Sequence, residues 1–535
     1  MSPSGSNPLK PSERILNLLT TLGLLVTTIL LLGTCLWFYV QGCWDRPSNH
    51  SPRSAFTQGS IGTELMPYPA FVALPKLAPD LFQPQGSVSE EPAMNYWQFG
   101  MNDQLSSGPG LPTGFYLSNK RPKSGAPSPV PFVGIACVMC HSTEVYKPNG
   151  EAEIIVGAGN ANLNLFAWID AFQSAMLRES ITVDQIVDEY TKQTGEKLSP
   201  TERLMVGAWF RTTRETVKEA TEKFGTPFEG DDVLKANNIP TGPSRTQPFR
   251  TLVRRLMNRS GSDMAVYTKI SAVFHQDRRK WAQVDGSISD LDVRSSVAAY
   301  AAGAAVQNMA LKDVENNIRQ ASEYTRKLGA PGFFEVFPDH DSDAESVQRG
   351  SLVYKEHCHS CHGSPSATRG WIAGDRMGEI VPYTEIGTDA ERVTFKGFEA
   401  VPDLIHAAYP KHHPFHFSRD EIRPAPGDST RGYINAPIEH AYVRAPYLHN
   451  ASVLTLAELI NLKERRTVFY RGRNQYDPAG VGIVSPDKPT RQVYFKFDTT
   501  KRGNSNKGHD YPWAYDDPAR DPEQLRDLLS YLKTL

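Results

Sequence analysis

Cys358-His359-Ser360-Cys361-His362 decides how this chain is read, because the same spacing has already occurred at Cys137-Val138-Met139-Cys140-His141. Two thiols spaced C-x-x-C can add across the two vinyl groups of a haem, and a histidine next on the chain puts its imidazole under the iron. The two copies predict two covalently bound haem c groups, attached through Cys137, Cys140, Cys358 and Cys361, with His141 and His362 as iron ligands. A zinc ribbon also uses two C-x-x-C pairs, but it makes no demand on the residue that follows and keeps its pairs close together. Here histidine follows both pairs, and a whole domain's length separates them. A thiol–disulfide site has no need of the histidine.

Outward from these motifs, 535 residues at 39% hydrophobic suffice for two or three domains with ordinary cores. The 57 Lys and Arg nearly balance 59 Asp and Glu, so nothing in the charge points to nucleic acid or an acidic substrate. Gly and Pro, 40 of each, predict long irregular connections, which suit short helices wrapped around a porphyrin. The expected fold is mainly α, with two cytochrome c-like haem domains and long irregular loops, preceded by one N-terminal transmembrane helix.

That helix is read from residues 15–40, an uncharged Leu-rich run flanked by Lys10 and Arg14 before it and Asp45 and Arg46 after it. About 20 apolar residues span a bilayer, whereas a cleaved signal has a core of only ~7 to 15, so a retained anchor is expected, with residues 1–14 as a cytoplasmic tail. A cleaved signal is the alternative. Because c-type haem is attached outside the bacterial cytoplasmic membrane, the haem domains are expected in the periplasm, tied to the inner membrane by a single pass. Cys35 and Cys43 read as structural, and Val40-Gln41-Gly42-Cys43 is a poor lipidation box.

Residues 41–130 read as a tether and an extended segment wrapped on the first haem domain, with islands such as Tyr96-Trp97-Gln98-Phe99-Gly100. Residues 131–330 form the N-terminal haem c domain, 331–345 a linker, and 346–535 the C-terminal haem c domain. Val156-Gly157-Ala158-Gly159-Asn160 lacks the third glycine of a dinucleotide loop and reads as a turn into a helix near Asn162. Ser199-Pro200-Thr201-Glu202 opens a helix through about Phe224, and an alanine-rich helix is expected from Ser289 to Val306. Trp281 stands just before a turn, either as a core indole or as a relay between the haems. In the last domain a helix leading into Cys358 should cross a terminal helix, with Gly350 at the close approach. The terminal helix has Asp521 as N-cap, Pro522 at its first position, and a stripe of Leu525, Leu528, Leu529 and Leu532.

The second haem needs a sixth ligand or an open face. Met377 is the one methionine after Cys361. Among many histidines, His509 stands on the loop before the terminal helix and is preferred, with Met377 as the alternative; two histidines give a lower potential than His/Met. At the first iron, His275, Met176, Met205, Met257, Met264 and Met309 are the candidate ligands, though each reads first as ordinary core, and without one the site is open. His412, His413 and His416 could bind metal or be exposed loop histidines.

Further residues carry a resemblance. Arg444-Ala445-Pro446-Tyr447-Leu448-His449-Asn450-Ala451-Ser452-Val453, followed by Thr455-Leu456, resembles the bacterial dihaem cytochrome c peroxidase superfamily. Its rubber-oxygenase-like branch is the closer likeness. It is suggested by Gly110-Leu111-Pro112-Thr113-Gly114 ahead of Gly134-Ile135-Ala136-Cys137, by the segment from Trp281 to Gly286, and by the endings Gly503-Asn504-Ser505-Asn506-Lys507-Gly508-His509 and Tyr531-Leu532-Lys533-Thr534-Leu535. The likeness covers about 65–535. It implies a reactive N-terminal haem on His141, open to peroxide or dioxygen, and a C-terminal haem on His362 and His509 that stores or relays electrons. His449 would then lie beside the haem propionates or between the haems. Partners would be an electron donor or acceptor protein or the quinol pool, a small-molecule oxidant, and the membrane; no nucleic acid is expected. A non-catalytic dihaem electron carrier and a dioxygenase on a small organic substrate are the alternatives. Two departures stand out: Asn-Ala-Ser replaces a usual glycine before the serine, and no acid for O–O cleavage can be picked out. An insoluble polymer does not readily reach an enzyme held at the inner membrane, which argues against polyisoprenoid substrates.

Overall fold

The uncharged run forms one helix, Pro11–Trp44, in the computed structural model, which describes residues 11–44, 50–82, 96–108, 110–224, 240–258, 264–418 and 431–535. Within it Leu18–Cys35 is long and apolar enough to cross a membrane and is not buried against the rest of the chain. Thr27, Thr28 and Thr34 turn their hydroxyls back onto the carbonyls of Gly23, Leu24 and Leu30, which lets polar side chains sit in an apolar span. Most of the expected cytoplasmic tail and the Cys43 side chain lie outside the described residues.

Beyond residue 50, apolar side chains gather into three large clusters and one small one. The first surrounds Phe71, Phe115 and Trp168, using the helices Tyr68–Leu77 and Leu165–Leu177 and the paired strands Phe115–Lys120 and Pro127–Ile135. The second joins Val145, Ile155 and Phe274 to Tyr354, Tyr442 and Leu528, and the third joins Phe249 and Val297 to Phe395 and Tyr433. Both of these draw on residues from either side of the 331–345 stretch, so the two halves share cores. Helices take 42% of the structure, and short strands form several small sheets, the largest described having three strands. The expectation of a mainly helical fold therefore holds only coarsely, since small sheets brace the haem motifs.

The region read as tether and wrapping segment contains the helices Pro52–Gln58 and Tyr68–Leu77 and sends Phe56 and Phe71 fully into the cores. Trp97 from the same region lies 4.1 Å from the Arg473 guanidinium, Tyr146 lies 5.0 Å away, and Arg473 Nη2 donates to Glu144 Oε2 at 2.7 Å. One buried cation thus ties three distant parts of the chain together.

Local signals set most helix ends. Pro200–Phe224 forms as its spacing predicts. The alanine-rich helix is shorter than expected: it runs Leu291–Ala301, capped by Asp290 accepting from Val293 N, and a separate turn follows at Val306–Met309. Gly303, at φ 116, breaks it, because its backbone leaves the helical region before the pattern of apolar residues ends. Val183–Thr194 carries a reciprocal capping box between Thr182 and Gln185. Thr182→Ala is expected to cost about 1 kcal/mol, read as a lower midpoint in chemical denaturation.

Candidate haem sites

The first motif folds as one helical turn, Cys137–Cys140, between the end of the strand Pro127–Ile135 and the strand Ser142–Tyr146. Gly114, at φ +82, makes room for it, since a Cβ there would stand 2.4 Å from Met139 N. The Gly157-Ala158-Gly159-Asn160 turn then closes over it. Gly157 N donates to His141 O at 2.7 Å and Asn160 N to Cys140 O at 2.8 Å. Gly159 lets a further segment come close, because its Cβ would lie 1.8 Å from Ile270 O. That segment supplies Ser271 O, which accepts from His141 Nδ1 at 3.0 Å. With the proton held at Nδ1, Nε2 is left as the metal-facing nitrogen. Burial, with Arg294 adding to it, pushes the His141 imidazole down to about 4, so it is the neutral ligand form. Burial also raises the Cys137 thiol to about 11 and the Cys140 thiol to about 12.

The second motif follows the helix Ala344–His357 without a break and turns through His359–His362. Tyr354 hydroxyl donates to Gly363 O at 2.7 Å and Trp371 Nε1 to His362 O at 3.0 Å. His362 Nδ1 donates to Ala436 O at 2.7 Å, repeating the arrangement at His141. His509 faces His362 with ring centroids 6.1 Å apart. Two imidazoles sharing one metal from opposite sides, with metal–nitrogen bonds of about 2 Å, have centroids roughly 6 Å apart. His509 is at φ 56 and its N donates to Ile386 O at 2.8 Å. Burial first, then His362 and Arg465, push its imidazole down to about 3. Met377 lies on a turn whose N–H donates to Gly374 O at 3.1 Å.

These residues fit haem c. Cys35, Cys137, Cys140, Cys358 and Cys361 are free thiols, and the two pairs pack against different clusters, Cys358 on the second and Cys140 on the first, which removes a shared zinc site. Among the described residues no group of three or more His, Cys, Asp or Glu is placed to hold a metal ion. Beside Cys137, Arg294 has a buried Nε without a hydrogen-bond partner, and burial lowers the guanidinium to about 10. A haem carboxylate is the kind of group that such an unpartnered Nε would meet.

The other candidates lie as follows. His275 stacks on His440, with centroids 5.9 Å apart and planes at 16°, and the ring described against His141 is Phe56 at 6.5 Å. Met176 and Met205 belong to the cluster that packs on Cys140, while Met257, Met264 and Met309 belong to the one that packs on Cys137. Trp281 Nε1 donates to Gly378 O at 3.1 Å, which docks the indole against the turn bearing Met377. His449 is buried and stacked on Tyr433 at 4.1 Å, with its Nε2 3.0 Å from the Tyr433 hydroxyl. That hydroxyl donates to Asp389 O, so His449 must donate through Nε2. Burial, then Arg392 and Lys269, push the His449 ring down to about 3. His413 has both nitrogens engaged, with Val306 O and Phe415 N, while His416 pairs with His406 at 5.1 Å. The carbonyls of Ser271 and Ala436 and the side chains of Arg279, Arg294 and Glu439 escaped the sequence reading, since a backbone acceptor leaves no mark on residue type.

Ala436 lies in a stretch that known proteins share. Residues 432–470 match the RoxA-like, cytochrome c-like family. This RoxA-like segment carries Ala436, Glu439, His440, Arg444 and His449, so it forms one wall of the second site, and the likeness supports a c-type cytochrome with covalently bound haem c. Two relatives come from Sinorhizobium fredii (strain NBRC 101917 / NGR234). The uncharacterized protein y4iM is 29% identical over 304 residues, covering 50% of this chain, and the uncharacterized protein y4iJ is 27% identical over 237 residues, covering 36% of it. The matches span 65% and 39% of those relatives' own lengths.

Proposed function

We propose that this chain is a dihaem c-type cytochrome of the bacterial inner membrane, anchored by the N-terminal helix with its haem domains in the periplasm. On this reading it is an oxidoreductase of the dihaem cytochrome c peroxidase superfamily, in its rubber-oxygenase-like branch. When bound, the iron at His141 supplies binding and one-electron chemistry toward peroxide or dioxygen, and the iron at His362 stores and passes electrons.

The observation that carries the reading is the asymmetry of the sites. His362 meets His509 across 6.1 Å, while the ring beside His141 is that of Phe56, and on this reading the first iron would keep an open face. Ser271 and Ala436 hold the protons of the two histidines at Nδ1, and Trp281 is fixed beside the second site as a relay would be. Electrons come from or go to a periplasmic protein or the quinol pool. The formal net charge of −2 supplies no attraction to nucleic acid.

The test uses the full chain in detergent. A pyridine haemochrome assay is expected to count two haems per chain, and low-temperature EPR of the ferric protein to show one high-spin and one low-spin signal in equal amounts. Two low-spin signals would favour the non-catalytic electron carrier. Oxygen uptake that depends on an added small organic compound, with no peroxide turnover, would favour the dioxygenase. One haem per chain would end the dihaem reading.

A further inference from the structure

Both haem-motif histidines hang from backbone carbonyls, and one side chain links the segments that carry them. His141 donates to Ser271 O at 3.0 Å and His362 to Ala436 O at 2.7 Å. Arg279, with a side chain 9% exposed, lies between the two segments. Its Nε donates to Phe274 O at 3.4 Å, on the same short segment as Ser271, and its Nη2 donates to Pro437 O at 3.2 Å, the residue after Ala436. The same Nη2 donates to Glu439 Oε1 at 3.0 Å. Glu439 is itself held, since Arg444 Nε donates to its carbonyl at 2.7 Å and Arg444 Nη2 lies 3.5 Å from its other carboxylate oxygen. The stacked pair His275 and His440 stands beside this ion pair, each ring carried on a left-handed backbone. Trp281, by contrast, spends its one donor on Gly378 O, next to the second site.

We infer that Arg279 is a positioning residue that couples the two haem histidines, so that a change at either iron is felt at the other; this rests on the dihaem reading. The strength of each Nδ1–H···O bond sets how strongly its imidazole donates to iron, and hence the potential. A guanidinium has its donors fixed in one plane and can span two carbonyls and a carboxylate together, which an ammonium cannot do with the same geometry. Arg279 therefore fixes both acceptor segments at once, while its charge is balanced within the protein by Glu439.

Arg279→Lys in the full chain, purified in detergent, separates position from charge. A haemochrome count of two per chain first checks the dihaem reading on its own terms. Optical redox titration is then expected to show both midpoint potentials rising together, because both Nδ1–H···O bonds loosen while the cation stays. Midpoints equal to those of the unaltered protein, or movement of only one, would overturn the inference. Should this variant lose haem, the double variant Arg279→Gln with Glu439→Gln removes the pair without changing net charge. The same joint rise is expected there, and a shift at one iron alone would again sink the idea. A role confined to folding would lower the denaturation midpoint and leave both potentials in place.

Discussion

Replacing Gly350 by alanine is expected to destabilise the C-terminal helix crossing by about 3 kcal/mol, at the upper end of what overpacking costs. The helix Ala344–His357 crosses the helix Pro522–Leu532 at this residue, and a Cβ on Gly350 would stand 1.9 Å from Asp527 O. The atom it meets is backbone, inside a helix, so no side chain can swing away. Relief requires the helices to move apart, and polar bonds oppose that: Ser346 Oγ donates to Asp527 Oδ1 at 2.6 Å and Arg349 Nε to Oδ2 at 2.7 Å. Separation would also open the buried stripe Leu525, Leu528, Leu529 and Leu532. The measurement is a denaturation midpoint followed by far-UV circular dichroism and by haem absorbance. Gly207→Ala is the control. It lies within the helix Pro200–Phe224, where the new methyl would meet the flexible end of Arg211 at 3.3 Å and Val183 Cγ1 at an ordinary 3.5 Å, and helix propensity favours alanine by up to about 1 kcal/mol. Loss at Gly350 with gain at Gly207 would locate the effect in the crossing. Equal responses would mean that the helices do not meet there.

What the sequence disclosed about this crossing came from short-range rules. Asp521 accepts from Glu523 N and Gln524 N, and Pro522 occupies the first helical position, as the residue types alone require. The preference for His509 rests on a related rule, its place on the loop before the terminal helix, and the fold sets its ring 6.1 Å from that of His362. The missed features depend on distant segments meeting. Nothing in the local sequence pairs Arg279 with Glu439, and neither Ser271 nor Ala436 is a residue type that marks a hydrogen-bond acceptor. Gly157 and Gly159 were read as a turn, but their further role is to admit Phe274 and Ile270, which the sequence places far away. The alanine-rich helix is shorter than its sequence suggests because apolar periodicity runs on through Gly303 while the backbone does not. Likewise, residues 41–130 read as a tether and extended segment, although Ser51 and Pro52 are cap and first-turn residues of a helix whose Phe56 reaches the first haem motif's histidine.

On the proposed dihaem reading, His509→Ala is expected to convert the second haem from low-spin to high-spin without detaching it. Attachment would depend on Cys358 and Cys361, and His362 is oriented by Ala436, so neither would rely on His509. The loop itself should persist. Arg465 Nη1 donates to Asn506 O at 2.6 Å and to Gly508 O at 2.8 Å, and Gly508, at φ +78, packs where a Cβ would come within 2.2 Å of Gly387 C. Removing the imidazole would therefore take away the nitrogen that His509 would offer the iron and leave a void. In ferric EPR the low-spin signal should disappear and a second high-spin signal take its place, with two haems still counted per chain. His509→Met should restore a low-spin iron at a higher potential than the original, because a thioether donates less than an imidazole. His449→Ala is the informative comparison. That ring is buried against Tyr433 at 4.1 Å, so its removal should lower stability by roughly 3 kcal/mol or more, as deleting large buried side chains does, while the EPR spectrum stays as it was. If His509→Ala leaves the low-spin signal intact and Met377→Leu abolishes it, the iron is held by the methionine and the His362–His509 approach is only packing.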